Sequence, residues 1–165
     1  MRIIITGTPG TGKTAIAEIL GRKIKHKALN EKDFCGKKRI GKIDKKTKEL
    51  VVPLGKLEKE LNRVLKKEKN IIIEGHLLCE CRLRPADFIF VIRLSPDRLE
   101  FRLRERNYPE AKIQDNVLCE GIDYCRKHAQ KNYANGKIFE ISNNGEIKKT
   151  ISEVSRIIKT PQNTN

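Results

Sequence analysis

Runs of apolar residues alternate along this chain with segments in which apolar residues recur at helical spacing. The runs are MRIIIT at 1–6, NIIIEG at 70–75, FIFVIRL at 88–94 and KIFEIS at 137–142, with a weaker one, HKALN, at 26–30. Short runs rich in β-branched and aromatic residues are typical of strands buried on both faces of a parallel sheet. The pattern therefore predicts five strands.

Helical spacing connects these strands. It follows the first strand, begins again at Pro53 and at Ser95–Pro96, and recurs in two later segments, one through Val117, Ile122, Cys125 and Ala129 and one through Ile147, Ile151, Val154 and Ile158. Strands alternating with helices favour a three-layer α/β fold around a central five-stranded parallel sheet. Residues 31–53 are polar and lysine-rich without a sustained period, which predicts an irregular insertion. We expect one domain over residues 1–159 and a disordered tail over 160–165.

Charge changes this picture by pointing to an anionic partner. The chain of 165 residues carries 36 Lys and Arg against 21 Asp and Glu, a formal net charge of +15. Nucleotides, nucleic acid or an anionic membrane surface would suit that charge, and so would lysines that merely cover solvated faces. The apolar runs are too short for a membrane span, so we expect no membrane-embedded segment.

Cysteine usage favours a reducing compartment. The five cysteines, Cys35, Cys79, Cys81, Cys119 and Cys125, are odd in number and include no CxxC pair. That spacing favours reduced thiols packed in the core over a zinc site or a disulfide framework. Since the N-terminus does not resemble a signal peptide, we expect a cytoplasmic protein.

The glycine-rich segment GTPGTGKT, residues 7–14, lies between the first strand and the first helix and fits GxxxxGK[ST]. Its glycines let backbone N–H groups turn toward phosphate oxygens, and the helix N-terminus adds a favourable dipole. We expect Lys13 to reach the β- and γ-phosphates of ATP and Thr14 to offer its hydroxyl to Mg²⁺. The alternative, a chance glycine-rich turn, does not explain why the motif joins a strand to a helix. Many enzymes share this P-loop, so it does not name the reaction.

An acid follows the strong apolar run at 71–73 directly. Glu74 would lie at the carboxyl end of a parallel strand, at the edge where ligands bind, and could hold Mg²⁺ or orient an attacking water. His76 would share the face of Glu74 if strand geometry continued through Gly75. The alternatives are a carboxylate that caps the strand end and a hydrogen-bonded structural histidine.

Four arginines, Arg98, Arg102, Arg104 and Arg106, crowd one predicted helix and its exit. Arg102 and Arg106 are four residues apart and share a face. Phosphoryl transfer needs cations near the equatorial oxygens. We interpret Arg98 and Arg104 as solvated and Arg106, at the turn before YPEAKIQDN, as a catalytic candidate.

Together these motifs resemble the adenylate kinase isoenzyme 6 family over residues 1–158. The resemblance rests on GTPGTGKT, on IIIEGH at 71–76 and on RNYPEAKIQDNVLCE at 106–120. It implies an adenylate-kinase-like P-loop fold with a nucleoside monophosphate-binding insertion at about 30–53 and a short lid at about 105–115. It also implies broad nucleoside monophosphate kinase activity (ATP + AMP to 2 ADP) with ATPase activity and Mg²⁺.

The same resemblance implies residue roles and partners. Gly10, Gly12, Lys13, Thr14 and Ala15 match the positions that take the ATP phosphates, and Arg106 matches the lid contact. Glu74 and His76 occupy the family's acid-x-histidine motif, where many members carry Asp. The partners implied are a small-subunit platform ribosomal protein of the S eleven family and the pre-ribosomal particle during rRNA 3′-end processing, with contact to rRNA as a further expectation.

The acceptor site departs from the family pattern. Members often place Arg three residues after the position of Asp33, and here that position is Gly36. The acceptor contact is then left to Lys37, Lys38 or Arg39, and we take Asp33 and Arg39 as the candidates for monophosphate binding.

Rival functions use the same P-loop. A metabolic monophosphate kinase, an assembly ATPase with secondary kinase activity and a kinase of a small metabolite or nucleoside all fit. A binding module without catalysis fits less well, because Lys13, Thr14, Glu74 and Arg106 are all present.

Overall fold

A computed structural model describes residues 1–46, 48, 50–133 and 137–160. Five strands form one sheet: β1 (Arg2–Thr6), β2 (Lys27–Asn30), β5 (Ile71–Glu74), β6 (Phe88–Arg93) and β7 (Ile138–Ser142). Their order across the sheet is β2-β5-β1-β6-β7, and all neighbouring strands are parallel. The predicted fold class, an α/β P-loop fold with a five-stranded parallel sheet, is confirmed.

The P-loop strand β1 lies at the centre of the sheet. Ile4 is paired with Ile73 of β5 on one side and with Ile89 of β6 on the other. These side chains are fully buried, as expected for a strand covered on both faces. The strand order reverses at β1, and open α/β sheets bind ligands outside the carboxyl ends of the strands at such a point.

Helices cover both faces of the sheet. One face packs against α1 (Lys13–Ile24) and α7 (Ile147–Lys159), and the other against α3 (Leu54–Lys67) and α6 (Tyr124–Asn132). In α3 the buried residues Leu57, Leu61 and Leu65 recur every four positions, which gives the helix one apolar face. A third, smaller cluster joins α4 (Pro96–Glu105) to α5 (Glu110–Gly121).

Within the predicted irregular insertion the structure instead has a helix and a hairpin. Helix α2 (Glu31–Lys38) is followed by the short antiparallel strands β3 (Lys42–Ile43) and β4 (Leu50–Val51). The Asn30 side chain accepts a hydrogen bond from the Asp33 N–H (3.0 Å) and so caps α2. Phe34 and Cys35 are buried. Eight residues are too few to show a period among lysines, so the sequence pattern missed this helix.

Helix also replaces loop in the region of the predicted lid. The segment 108–116 was expected to precede a single helix, but α5 already begins at Glu110. The helix then ends near Ile122, and Asp123 (φ 60°) separates it from α6. A non-glycine residue with positive φ interrupts regular helix, which explains the division into two helices.

In the part of the chain that the structure describes, no helix is long and apolar enough to cross a membrane. The five cysteines are free thiols, and all but Cys119 are buried. Of the predicted tail, residues 161–165 lie outside the described residues.

Candidate active site

The P-loop follows β1 and ends at the first turn of α1. Gly7, Gly10 and Gly12 have φ of 143°, 93° and 98°, a region that glycine adopts without strain. A Cβ at Gly12 would lie 2.6 Å from Nδ2 of Asn143, so the loop also needs glycine there for space. Asn143, which follows β7, donates from Nδ2 to the Thr11 carbonyl (2.8 Å) and thereby supports the loop.

Lys13 is buried within this loop. Its ammonium donates to the Thr8 carbonyl (2.9 Å), which also accepts from the Thr11 hydroxyl (2.9 Å). Burial lowers the pKa of Lys13, and the carboxylate of Glu74 is the strongest influence in the opposite direction. The ammonium is therefore placed beside the loop that would bind phosphate, with an internal acceptor that a ligand can replace.

Glu74 joins the P-loop to two neighbouring strands. Its Oε1 accepts from the Thr14 hydroxyl (2.9 Å) and from the Asn30 amide at the end of β2. Glu74 is 2% exposed, whereas Thr14 and Ala15 are exposed on the first turn of α1. The structure thus brings Lys13, Thr14 and Glu74 together at the carboxyl edge of the sheet. Sequence reasoning missed Asn30, although its position at a strand exit was the signal that could have found it.

His76 does not continue the strand geometry of β5. It lies in helical geometry (φ −85°, ψ −33°) before a 3-10 turn at Leu77–Glu80, so it does not share the face of Glu74 through strand alternation. Its Nδ1 lies 3.7 Å from Oε1 of Glu31. Although half of this side chain is exposed, burial and the ammonium of Lys13 lower the pKa of His76 to about 4. A neutral imidazole forms only a weak polar contact with Glu31.

Glu31, the first residue of α2, is a buried carboxylate that sequence reasoning also missed. It is 3% exposed, and its Oε2 accepts from the Leu77 N–H (2.9 Å). A Cβ at Gly75 would lie 2.1 Å from Oε2 of Glu31, so the glycine of IIIEGH makes room for this acid. Burial raises the pKa of Glu31 to about 7. No local pattern reveals Glu31, since its partner is 46 residues away.

The arginine face of α4 lies next to the P-loop. A Cβ at Gly12 would lie 3.7 Å from Nη1 of Arg102. The Nη2 atom of Arg102 donates a hydrogen bond to the Asn143 carbonyl (3.4 Å). Burial, then Arg106 and Arg98, lower the pKa of Arg102, as expected for clustered cations. Arg106 is exposed where α4 ends.

The Arg104 side chain takes part in ion pairs at the protein surface. It pairs with Glu100 (2.8 Å) and Glu110 (2.7 Å) at the surface, in agreement with its interpretation as solvated.

The two acceptor candidates lie in and just after helix α2. Asp33 is exposed in the first turn of α2, and Arg39 is exposed just after that helix with φ 51°. The structure therefore places both on the insertion that follows β2.

Known proteins resemble this chain in sequence and in fold. A family model described as an AAA domain matches residues 3–123. A protein of Pyrococcus furiosus named "Putative adenylate kinase" is 36% identical over 97% of this chain and 85% of its own length. A protein of the same name from Methanocaldococcus jannaschii is 32% identical over 96% of this chain and 86% of its own length.

Solved structures show the likeness of fold. Shikimate kinase from Aquifex aeolicus superposes with a TM-score of 0.63 at 18% identity, covering 96% of both chains. Shikimate kinase from Bacteroides thetaiotaomicron gives a TM-score of 0.61 at 18% identity, covering 97% of this chain and 99% of the other. At this identity the likeness concerns the fold alone.

Proposed function

Because this chain belongs to the adenylate kinase-like family of those relatives, we propose that it transfers a phosphoryl group from ATP to AMP and other nucleoside monophosphates. The observation that carries the proposal is the convergence of Lys13, Thr14 and Glu74 at the carboxyl edge of β1 and β5. These residues supply a cation, a hydroxyl and a carboxylate beside a glycine-rich loop. Phosphoryl transfer requires such groups to bind the phosphates and a metal ion.

ATP binds at the P-loop in this proposal. The backbone N–H groups around Gly10 and Gly12 and the first turn of α1, with Thr14 and Ala15, hold the phosphates. Lys13 moves its ammonium from the Thr8 carbonyl to the phosphate oxygens. Because the ammonium is already desolvated in the protein, binding exchanges one acceptor for another.

Thr14 and Glu74 fit Mg²⁺, since a hydroxyl and a carboxylate oxygen 2.9 Å apart are the hard oxygen donors that this ion prefers. When bound, the ion would neutralise charge on the phosphates. Asn30 fixes the Glu74 carboxylate from the other side and so keeps its orientation.

Positive charge on α4 completes the donor side. Arg106, with Arg102 beside it, can approach the transferred group from above the P-loop, where its guanidinium would stabilise the developing charge. We assign the acceptor monophosphate to α2 and the hairpin after it, with Asp33 and Arg39 as binding residues. The insertion at about 30–53 and the lid at about 105–115 act as substrate-binding segments of a single domain.

We further propose ATPase activity and a role in maturation of the small ribosomal subunit, as in the isoenzyme 6 family. The IIIEGH motif, the short lid and the net charge of +15 support this proposal. His76 would position the attacking water, and a lid of few residues would exclude bulk water less well than a long one. The partners are then the platform protein of the S eleven family, the pre-ribosomal particle and its rRNA, in the cytoplasm.

The test measures ADP and free phosphate together from Mg²⁺-ATP, with and without AMP and with and without the platform protein. ADP formation that depends on AMP supports monophosphate kinase activity, and phosphate release stimulated by the platform protein supports the ribosomal role. Failure to use any monophosphate would refute the kinase assignment in favour of a metabolite or nucleoside kinase.

A further inference from the structure

Glu120, in the last turn of α5, is a buried carboxylate outside the group formed by Lys13, Thr14 and Glu74. It is 2% exposed. Its oxygens accept from the Thr8 hydroxyl, from Nε of Arg93 (2.6 Å) and from the Leu94 N–H (3.2 Å). A buried carboxylate is costly unless donors surround it, and these three donors come from the P-loop and from the end of β6. Glu120 therefore joins three separate segments at one point.

Thr8 carries this connection to the phosphate-binding groups. Its hydroxyl is held by Glu120, and its carbonyl accepts from the Lys13 ammonium (2.9 Å) and from the Thr11 hydroxyl (2.9 Å). Because the hydroxyl and the carbonyl belong to one residue, fixing the side chain restricts where the carbonyl can point. The orientation of Thr8 thus sets the resting position of the Lys13 ammonium.

We propose that Glu120 is a positioning residue for ATP binding, which acts through Thr8 on the P-loop. The inference rests on the proposed function in that ATP is the ligand of the loop. In this proposal Glu120 contacts Thr8 and acts on the phosphates only through the loop. It holds the loop in the shape that receives phosphate, so binding does not have to order the loop first.

The ion pairs of Arg93 offer a control for the hydrogen bond between Thr8 and Glu120. Arg93 pairs with Glu120 (2.6 Å) in the same network. Its guanidinium also pairs with Asp123 (2.6 Å) and Glu140 (3.0 Å). Glu140 shares Arg93 with Glu120 but is too exposed, at 39% of its side chain, to act as a buried anchor. A variant at Glu140 is therefore a matched control for loss of one carboxylate from the network.

The experiment measures Mg²⁺-ATP binding by calorimetry, and ATP turnover, for the full chain and its variants. Thr8→Val removes the hydroxyl while keeping the branched shape, and Thr8→Ser restores it. We expect Thr8→Val and Glu120→Gln to raise the Kd and the KM for ATP about tenfold, the effect of one lost hydrogen bond to a charged group. Thr8→Ser and Glu140→Gln should stay within about twofold of the unaltered protein. The kcat should change less than the KM, because the interaction acts on binding.

Thermal unfolding by circular dichroism separates positioning from folding. If Glu120→Gln does not fold, Thr8→Val and Thr8→Ser still decide the question. The double variant Thr8→Val/Glu120→Gln should lose no more affinity than the weaker-binding single variant, since both substitutions act on the one contact between Thr8 and the Glu120 carboxylate. An unchanged Kd in Thr8→Val, or an equal rise in Glu140→Gln, would overturn the inference. If the unaltered protein does not bind ATP, the proposed function fails instead.

Discussion

Replacing Glu31 by Gln should make the protein more stable at neutral and alkaline pH and leave its stability nearly unchanged in acid. The amide keeps an oxygen for the Leu77 N–H, which now donates to Oε2 of Glu31 (2.9 Å). It removes the negative charge that burial disfavours. The substitution therefore isolates the free energy of ionising a carboxyl group that is 3% exposed.

The magnitude follows from the pKa of Glu31. Burial raises that pKa from 4.5 to about 7. The folded protein thus holds this proton more tightly than the unfolded chain, so its stabilising contribution is complete below pH 4.5 and is lost as the pH rises through 7. At about 1.4 kcal/mol per pH unit, the loss amounts to about 3 kcal/mol. We therefore compare the free energy of unfolding of Glu31→Gln with that of the unaltered protein. The difference should rise by about 3 kcal/mol as the pH increases from below 4.5 to above 7.

Urea unfolding followed by far-UV circular dichroism measures the difference at several pH values, without nucleotide. Tryptophan fluorescence is no alternative, because the chain contains no Trp. Glu153→Gln, on an exposed position of α7, is the control for removing one negative charge. A difference for Glu31→Gln that stays constant across the pH range would refute the assignment of a buried, destabilising carboxylate.

Three further predictions concern the candidate site. Lys13→Ala should lower both ADP formation and phosphate release about a hundredfold or more, because the phosphates lose their buried cation; the coupled ADP and phosphate assay checks this, and retained activity would contradict the P-loop role. His76→Ala should lower phosphate release about a hundredfold and transfer to AMP much less, as a residue that orients water would; equal losses in the two assays would remove its special role. Gly75→Ala should destabilise the protein by roughly 1–3 kcal/mol in urea unfolding, since the new Cβ meets Oε2 of Glu31, and Gly75→Ala combined with Glu31→Ala should recover part of that loss if the clash is the cause.

The sheet and the P-loop could be predicted because their signals are local. The central strands β1, β5 and β6 contain continuous apolar runs, and the glycine-rich motif stands between a strand and a helix. Helix α2 escaped the pattern because its eight residues are too few to show a period, and because the burial of Phe34 and Cys35 depends on the rest of the fold. Its lysines are good helix formers, but as solvated charged residues they mark no buried face.

The site could be predicted only in part, for a related reason. Lys13, Thr14 and Glu74 follow from a motif and a strand exit. Glu31 and Glu120 do not, since their hydrogen-bond partners lie 46 and 112 residues away along the chain. The condition for His76 to share the face of Glu74 is not met, because strand β5 ends at Glu74 and His76 caps a 3-10 helix at Leu77–Glu80.

The position of β1 between β5 and β6 divides the molecule by local stability. Strand β1 is buried and hydrogen-bonded to a neighbouring strand on each side, so its amide protons should exchange with solvent only when the whole domain opens. The hairpin of β3 and β4, with two residues in each strand, should exchange through small local openings. The P-loop is thus anchored to the last part of the protein to unfold. If the proposed function holds, the segment assigned to the acceptor can open and close while the P-loop stays intact.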